Sequence, residues 1–302
     1  MSTTAVILLV ISAFTHAGWN FISKREHPPL AFYLVANTIG VICVLPIILY
    51  HWNQISLIPW SVWIFVIMSG FFLAAYFAAI AGAYRNGDMS IAYPLARSLP
   101  VIFVLIITLF LERSHEFGLM LLAGSVLVVT GCIILPMKVI REFHFSNYRN
   151  LCCLLAVLAA VGISGYTVTD DRALRYLGAL PGMPFSVVGG TLVYMVFEGV
   201  SCSLWTGLFV LLSRRERKSI VEMLRASTGS AVLTGIGIYL TYGLVLVSMN
   251  YVTNVSYVAA FRQLSIPLGA VFGMVLLKEP RYAPKIMGIV IIFIGLIFVG
   301  TG

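Results

Sequence analysis

The chain has 302 residues, of which 60% are apolar and only 10% are charged, and its net charge is +8. In a typical soluble domain about a quarter of the residues are charged. This composition, with a mean hydropathy of +1.01, therefore excludes a soluble globule and predicts an integral membrane protein. The positive charge is confined to short gaps between apolar stretches, which favours contact with membrane lipid over nucleic-acid binding.

A membrane-spanning helix needs about 20 predominantly apolar residues. Scanning the chain in order predicts ten such helices, at approximately 3–22, 30–50, 61–83, 88–111, 117–136, 150–169, 186–212, 228–248, 252–277 and 284–301. The first stretch has neither the basic start nor the cleavage site of a signal peptide, so we expect it to be retained. The expected fold class is therefore an all-α integral membrane protein with ten transmembrane helices.

Lysines and arginines in the gaps predict the orientation, because cytoplasmic loops carry the excess of positive residues. The odd-numbered gaps hold 14 of them and the even-numbered gaps hold 3. This places the odd gaps in the cytoplasm and both termini on the non-cytoplasmic side of the plasma (inner) membrane. The basic cluster from Arg214 to Lys218 then serves as a cytoplasmic anchor.

The two halves of the chain share a spacing that indicates an internal duplication. Tyrosine and proline recur around Arg97 and Arg262. Glycines seven residues apart follow in each half: Gly124 and Gly131, then Gly288 and Gly295. Each pair opens a helix face for close packing, which allows a monomer or a homodimer. With five spans per half, we predict two inverted five-helix repeats, residues 1–147 and 148–302, which form one transport domain.

With this layout the chain resembles the drug/metabolite transporter superfamily, in particular the EamA-type ten-helix carriers. The resemblance rests on the run from His16 to Arg25, the run from Gly165 to Asp170, and the Arg, Glu and Gly pattern that ends each half. It implies a substrate cavity lined by spans one to four and six to nine, with spans five and ten as packing helices. It also implies export as the expected direction. It leaves the substrate open among amino acids, nucleotide sugars, sugar phosphates, amines and drugs.

Three ionisable residues lie deep inside predicted spans, where a charge is costly and therefore a functional candidate. Arg97 lies in the fourth span, Glu198 in the seventh and Arg262 in the ninth. A guanidinium offers a planar fork of donors to a carboxylate or phosphate, so both arginines are candidates for binding an anionic substrate group. The alternative is structural pairing with backbone carbonyls or with Glu198. Glu198 is itself a candidate for binding a substrate ammonium or carrying a coupling proton.

Aromatic and polar side chains in the spans supply further candidates for substrate binding. Trp19 and Asn20 lie in the deeper part of the first span. His16, four residues before Asn20 on the same helix face, is a second candidate for proton coupling, against the alternative of a hydrogen-bonded packing residue. The remaining candidates are tyrosines: Tyr93, Tyr166 and Tyr257.

Two carboxylates, Asp170 and Asp171, follow the predicted end of the sixth span beside Arg172 and Arg175. We expect them at the external mouth in a capping or salt-bridge role, with a role in substrate entry as the alternative. Three prolines are expected to interrupt the helices that carry the intramembrane arginines and to free backbone carbonyls there: Pro94, Pro100 and Pro267.

No residue pattern indicates an enzyme, a cofactor or a metal site. The five histidines lack ligand spacing, the five cysteines lie in apolar runs, and no phosphate-binding glycine loop occurs. No gap is long enough for an ATP-hydrolysing domain, so transport has to be secondary. The sequence predicts an alternating-access transporter of a small metabolite such as an amino acid or related zwitterion, with protons and lipid as further partners. The alternatives are an anionic metabolite, an organic cation or drug, or a receptor or scaffold.

Overall fold

The computed structural model describes residues 2–24, 29–86, 89–110, 118–137, 139, 149–180, 185–276 and 280–301, and all regular secondary structure within them is helical. The helices are α1 (Thr3–Lys24), α2 (Leu30–Val44), α3 (Pro46–Tyr50), α4 (Trp52–Ile55), α5 (Trp60–Asn86), α6 (Met89–Phe110), α7 (Leu119–Ile134), α8 (Leu151–Gly178), α9 (Val187–Leu212), α10 (Arg214–Ala226), α11 (Thr228–Met249), α12 (Val255–Phe261), α13 (Ser265–Leu276) and α14 (Ala283–Thr301). A 3-10 turn, Arg262–Leu264, joins α12 to α13. The all-α class predicted from the sequence is confirmed.

The protein is a multi-pass membrane protein. In the part of the chain that the structure describes, eight segments are long and apolar enough to cross a membrane. They lie at Thr3–Asn20, Leu30–Tyr50, Trp60–Ala83, Leu151–Gly178, Val187–Leu212, Thr228–Met249, Val255–Phe272 and Ala283–Thr301. Two shorter apolar helices, Ala96–Phe110 and Leu119–Ile134, coincide with the predicted fourth and fifth spans. The count of ten crossings stays a prediction.

The helix of the predicted sixth span is longer than expected. It runs on from the predicted end at residue 169 to Gly178, because Ala173, Leu174 and Leu177 continue its buried face. As a result Asp170 lies inside the helix and is fully buried. The expectation that Asp170 caps the span at an external mouth is therefore wrong. Asp171 does take the expected salt-bridge role, since its carboxylate accepts from Arg175 Nε at 2.8 Å.

The basic cluster that begins at Arg214 forms a separate amphipathic helix, α10. The Ser213 hydroxyl caps its first turn by accepting from the Glu216 N–H at 3.4 Å. Glu216 is buried, where its carboxylate forms an ion pair with Arg85 and accepts from the Ala31 N–H at 3.3 Å. This carboxylate therefore joins α10 to the end of α5 and the start of α2.

The predicted ninth span is interrupted at its arginine, as expected from Pro267. Proline has no N–H to donate to the carbonyl four residues earlier, and its ring clashes with that carbonyl, so the chain makes a 3-10 turn before α13. The Arg262 carbonyl then accepts from the Ser265 hydroxyl at 3.0 Å. For α6 the expectation is wrong, because that helix is continuous through Pro94 and Pro100.

Helices α7 and α14, which correspond to predicted spans five and ten, pack directly against each other. A Cβ added at Gly124 would lie 2.6 Å from the Gly295 carbonyl oxygen. One added at Gly131 would lie 2.8 Å from the Gly288 carbonyl oxygen. The two glycine faces predicted from the sequence are thus used within one chain, and a homodimer would have to use another surface.

The remaining long helices pack around a polar interior. Helix α5 packs against α8 and α9, and α11 packs against α1 and α2. Helix α6 packs against α8, α1 packs against α12 and α13, and α2 packs against α9. These contacts bring helices from both halves of the chain to the interior, so its walls are formed by the two halves together.

Candidate functional site

A cavity lies between these helices. Its wall takes residues from α1, α2, α5, α6, α8, α9, α11 and the 3-10 turn, which belong to predicted spans one to four and six to nine. The polar or aromatic members of the wall are His16, Trp19, Asn37, Tyr76, Phe77, Arg97, Tyr166, Glu198, Tyr239, Thr241, Tyr242 and Arg262. Of the predicted substrate-binding residues, Trp19, Arg97, Tyr166, Glu198 and Arg262 are therefore brought together.

The two intramembrane arginines are neighbours. Arg97 Nη2 donates to the Ser265 hydroxyl at 2.8 Å and approaches the Arg262 carbonyl oxygen at 3.4 Å. Arg262 Nη2 donates to the Tyr166 hydroxyl at 2.8 Å, and the centre of its guanidinium lies 5.5 Å from the Tyr166 ring centroid. Arg97 is 6% exposed, and its buried Nε has no hydrogen-bond partner among the described residues. All of the partners seen for these guanidinium groups are neutral.

Two carboxyl groups in the interior share their hydroxyl partners. Glu198 and Asp170 are both fully buried. The Ser69 hydroxyl lies 2.5 Å from Asp170 Oδ1 and 2.8 Å from Glu198 Oε1. The Tyr242 hydroxyl contacts Asp170 Oδ2 and lies 2.8 Å from Glu198 Oε1, and Tyr194 donates to Asp170 Oδ1 at 2.9 Å. Glu198 Oε2 has no hydrogen-bond partner among the described residues.

The arginines and the carboxyl groups do not neutralise each other directly. Within the described residues the salt bridges join Arg85 to Glu216 and Arg175 to Asp171, and neither involves the cavity wall. The predicted alternative of an ion pair between an intramembrane arginine and Glu198 is not seen there. The pairing with a backbone carbonyl is seen, at Arg97. The interior thus holds two arginines and two carboxyl groups without an ion pair between them in the described part of the chain, and we call Asp170, Glu198 and their hydroxyl partners its acidic side.

The first helix contributes an aromatic edge to the cavity. The rings of His16 and Trp19 meet edge to face with centroids 4.8 Å apart. Trp19 Nε1 is buried without a hydrogen-bond partner among the described residues. Asn20 donates to the His16 carbonyl at 3.0 Å, so its amide interacts with its own helix, and Asn20 is not part of the described wall.

Two of the tyrosine candidates are placed differently from Tyr166. Tyr257 lies on α12 in the hydrophobic core, 4% exposed, and is outside the described cavity wall. The side chain of Tyr93 lies outside the described residues.

No group of His, Cys, Asp or Glu among the described residues has the geometry of a metal site.

Sequence reasoning missed three members of the acidic side: Asp170, Ser69 and Tyr194. The signal for Asp170 was present, because Ala173, Leu174 and Leu177 continue the apolar helical spacing beyond the predicted end of the span. Ser69 and Tyr194 gave no signal of their own. Their contacts with the carboxyl groups depend on the packing of α5 against α8 and α9, which cannot be predicted from the sequence around each residue.

An all-helical, multi-pass membrane protein with a polar cavity between its helices is the class that these observations define. Residues 3–137 match the model of the EamA-like transporter family, which confirms the resemblance predicted from the sequence. An uncharacterized protein of Methanocaldococcus jannaschii is 29% identical over 140 residues, which cover 46% of this chain and 99% of that protein. A solved crystal structure superposes with a TM-score of 0.66 over 100% of this chain and 99% of its own, at 16% identity, so the two share a fold.

Proposed function

We propose that the protein is a secondary transporter that moves a small zwitterionic metabolite, such as an amino acid, across the plasma (inner) membrane by alternating access, with export as its direction. The observation that carries this proposal is the presence of both charge types in the cavity wall without an ion pair between them. Arg97, Arg262 and Glu198 all line the cavity, and none of them belongs to a salt bridge among the described residues. A ligand with both an anionic and a cationic group satisfies both charge types.

Specific unpartnered groups define how such a ligand would bind. Arg97 Nε is a buried donor available to a carboxylate, and Glu198 Oε2 is a buried acceptor available to an ammonium group. Buried polar groups are normally hydrogen-bonded, so these two favour a ligand that completes them. Trp19 Nε1 adds a third donor, and the Tyr166 ring adds an apolar surface at the cavity wall.

An inverted repeat is the architecture that we propose for this transporter. If predicted spans one to five correspond to spans six to ten, the contact of α5 with α8 corresponds to that of α11 with α1, and both contacts are present. The contact of α5 with α9 likewise corresponds to that of α11 with α2. The Methanocaldococcus jannaschii relative, whose 140 aligned residues make up 99% of it, has the length of one repeat. Such repeats move against each other around a central site.

A second candidate substrate is an anionic metabolite. It is favoured by the hydroxyl bridges between Asp170 and Glu198, which occupy much of the acidic side and leave the arginines as the stronger ligands. The two candidates differ in the need for an ammonium group, so they are separable by the choice of transported solutes.

Counterflow in proteoliposomes tests the proposal. Vesicles containing the purified protein are preloaded with an unlabelled solute and diluted into the labelled one, with a panel of amino acids, organic amines and carboxylate or phosphate anions. Exchange of zwitterions is the expected result, and protein-free vesicles are the control. Exchange of anions alone would favour the second candidate. Absence of flux for every solute would overturn the transporter proposal in favour of a receptor or scaffold.

A further inference from the structure

The acidic side of the cavity contains more close oxygen contacts than its hydroxyl hydrogens can fill. The Ser69 hydroxyl contacts both Asp170 and Glu198, and the Tyr242 hydroxyl contacts the same two carboxyl groups. Each hydroxyl carries one hydrogen. Four contacts between oxygen atoms are therefore served by two hydroxyl hydrogens, so two contacts lack a hydrogen when both carboxyl groups are ionised, and one additional proton fills one of them.

The hydroxyl of Tyr194 indicates which carboxyl group holds the additional proton. Tyr194 donates to Asp170 Oδ1, so Asp170 is the carboxyl group approached by three hydroxyls. If Ser69 and Tyr242 also donate to Asp170, its carboxylate accepts three hydrogen bonds. Their oxygens are then free to accept, and a hydrogen on Glu198 Oε1 fills a contact with one of them. This arrangement satisfies more of the contacts than two ionised carboxylates do.

The charges around the pair lead to the same result. Two ionised carboxylates joined through the same hydroxyls would repel each other in a buried site. The ionisable groups that face this interior from the surrounding elements are His16 (α1), Tyr76 (α5), Arg97 (α6), Tyr166 (α8), Tyr194 (α9), Tyr239 and Tyr242 (α11) and Arg262. Arg262 donates to Tyr166, whose ring meets that of Tyr242 at a centroid distance of 5.9 Å, and among the described residues it forms no salt bridge with either carboxyl group.

We propose that Asp170 and Glu198, bridged by Ser69 and Tyr242, form a site that holds one proton between two carboxyl groups. The inference rests on the proposed function for its role, in which this proton is exchanged for the substrate. When a substrate ammonium binds Glu198 Oε2, the proton leaves the pair for the water on the side to which the cavity is open. Ser69 lies in the first half of the chain and the other three residues lie in the second, so the proton also controls a contact between the halves.

Infrared spectroscopy of the full-length protein in lipid vesicles tests the proton itself, without a substrate. The wild-type protein is expected to show the carbonyl stretch of a buried, protonated carboxylic acid at neutral pH. Asp170→Asn and Glu198→Gln are each expected to remove it, because the remaining carboxylate then receives both bridging hydroxyl hydrogens. Glu222→Gln, at an exposed glutamate of α10, is the matched control and should leave the band unchanged.

Two spectroscopic results would overturn the shared site. The first is absence of the band in the wild-type protein. The second is a band that survives Asp170→Asn and is removed only by Glu198→Gln, since the proton would then belong to Glu198 alone. The wild-type measurement stands even if a variant fails to fold.

A flux measurement tests the coupling role. In proteoliposomes containing the wild-type protein, an imposed proton gradient is expected to stimulate flux of the exchanged solute, and in Asp170→Asn the flux is expected to be equal with and without the gradient. A wild-type flux that is indifferent to the gradient would overturn the coupling role while the transporter proposal stood. A shared proton seen by infrared in a protein that transports no solute of the panel would instead refute the proposed function and leave the proton site in place.

Discussion

In the proposed function, single side chains determine how the cavity would recognise a ligand. The guanidinium of Arg97 has a neutral partner at Nη2 and an unpartnered buried Nε, and no carboxylate among the described residues neutralises it. A buried charge in this condition is costly, and an anionic ligand group offsets that cost. For this reason we expect Arg97 to be the residue that a substrate carboxylate stabilises most.

Replacing Arg97 with lysine tests this role. Lysine keeps the charge and loses the planar fork of donors. Loss of a charge-assisted hydrogen bond costs about 1.5–3 kcal/mol, so the apparent affinity for the exchanged solute is expected to fall about tenfold to a hundredfold. The measurement is the concentration dependence of counterflow. Arg172→Lys, at an exposed position on α8, is the control. An affinity equal to wild type in the Arg97 variant would remove Arg97 from the site.

The sequence could reveal the isolated charges of the site but not their shared network. Arg97, Arg262 and Glu198 were predictable because a charged residue inside an apolar run has few structural explanations. Asp170 was misplaced because it stands beside other charged residues, and composition alone ends the span there. Its partnership with Ser69 depends on the contact between α5 and α8, which only the tertiary structure supplies.

Helices divide into those that form the cavity and those that support it. Helices α7 and α14 contribute no residue to the described cavity wall and pack face to face through their glycines. The apolar runs were enough to predict both helices. By contrast, α10 was missed as a helix because a search for long apolar stretches cannot detect a short basic one. Pro267 predicted a break correctly, whereas α6 accommodates Pro94 and Pro100 without one.

The glycine contact between α7 and α14 is expected to be sensitive to one methyl group. In Gly295→Ala the new Cβ would lie 2.7 Å from the Gly124 carbonyl oxygen and 2.8 Å from the Val128 nitrogen, both backbone atoms. Overpacking of this kind costs about 1–3 kcal/mol, so the thermal unfolding midpoint in detergent, followed by circular dichroism, should fall.

A matched alanine substitution controls for the change in helix propensity. Gly269 lies inside α13, and a Cβ there would meet nothing within 4 Å. Gly269→Ala is expected to leave the midpoint unchanged or to raise it, since alanine favours a helix by up to about 1 kcal/mol over glycine. Equal midpoints for the two variants would show that the glycine faces are not needed for close packing.

Across the molecule, contacts among the described residues sort the predicted gaps into two groups, and the orientation of these groups in the membrane stays a prediction. At one end, Glu216 joins the beginnings of α10 and α2 to the end of α5, so predicted gaps one, three and seven meet there. At another, the Ser2 hydroxyl donates to the Tyr251 carbonyl at 2.9 Å, which brings the N-terminus to the eighth gap. Arg175 donates to the Thr253 carbonyl at 2.7 Å, so the end of α8 joins the same group. The basic residues of α10 lie at the end where gaps one, three and seven meet.

Labelling with a membrane-impermeant maleimide tests which group faces the cytoplasm. Glu222→Cys places a thiol on exposed α10, and Tyr251→Cys places one in the turn after α11. Because positive residues are retained on the cytoplasmic side, we expect Tyr251→Cys to be labelled in intact cells and Glu222→Cys only after permeabilisation. The unsubstituted chain, with its five native cysteines, measures the background. The opposite pattern would reverse the orientation, and labelling of both in intact cells would contradict the sorting of the gaps into two sides.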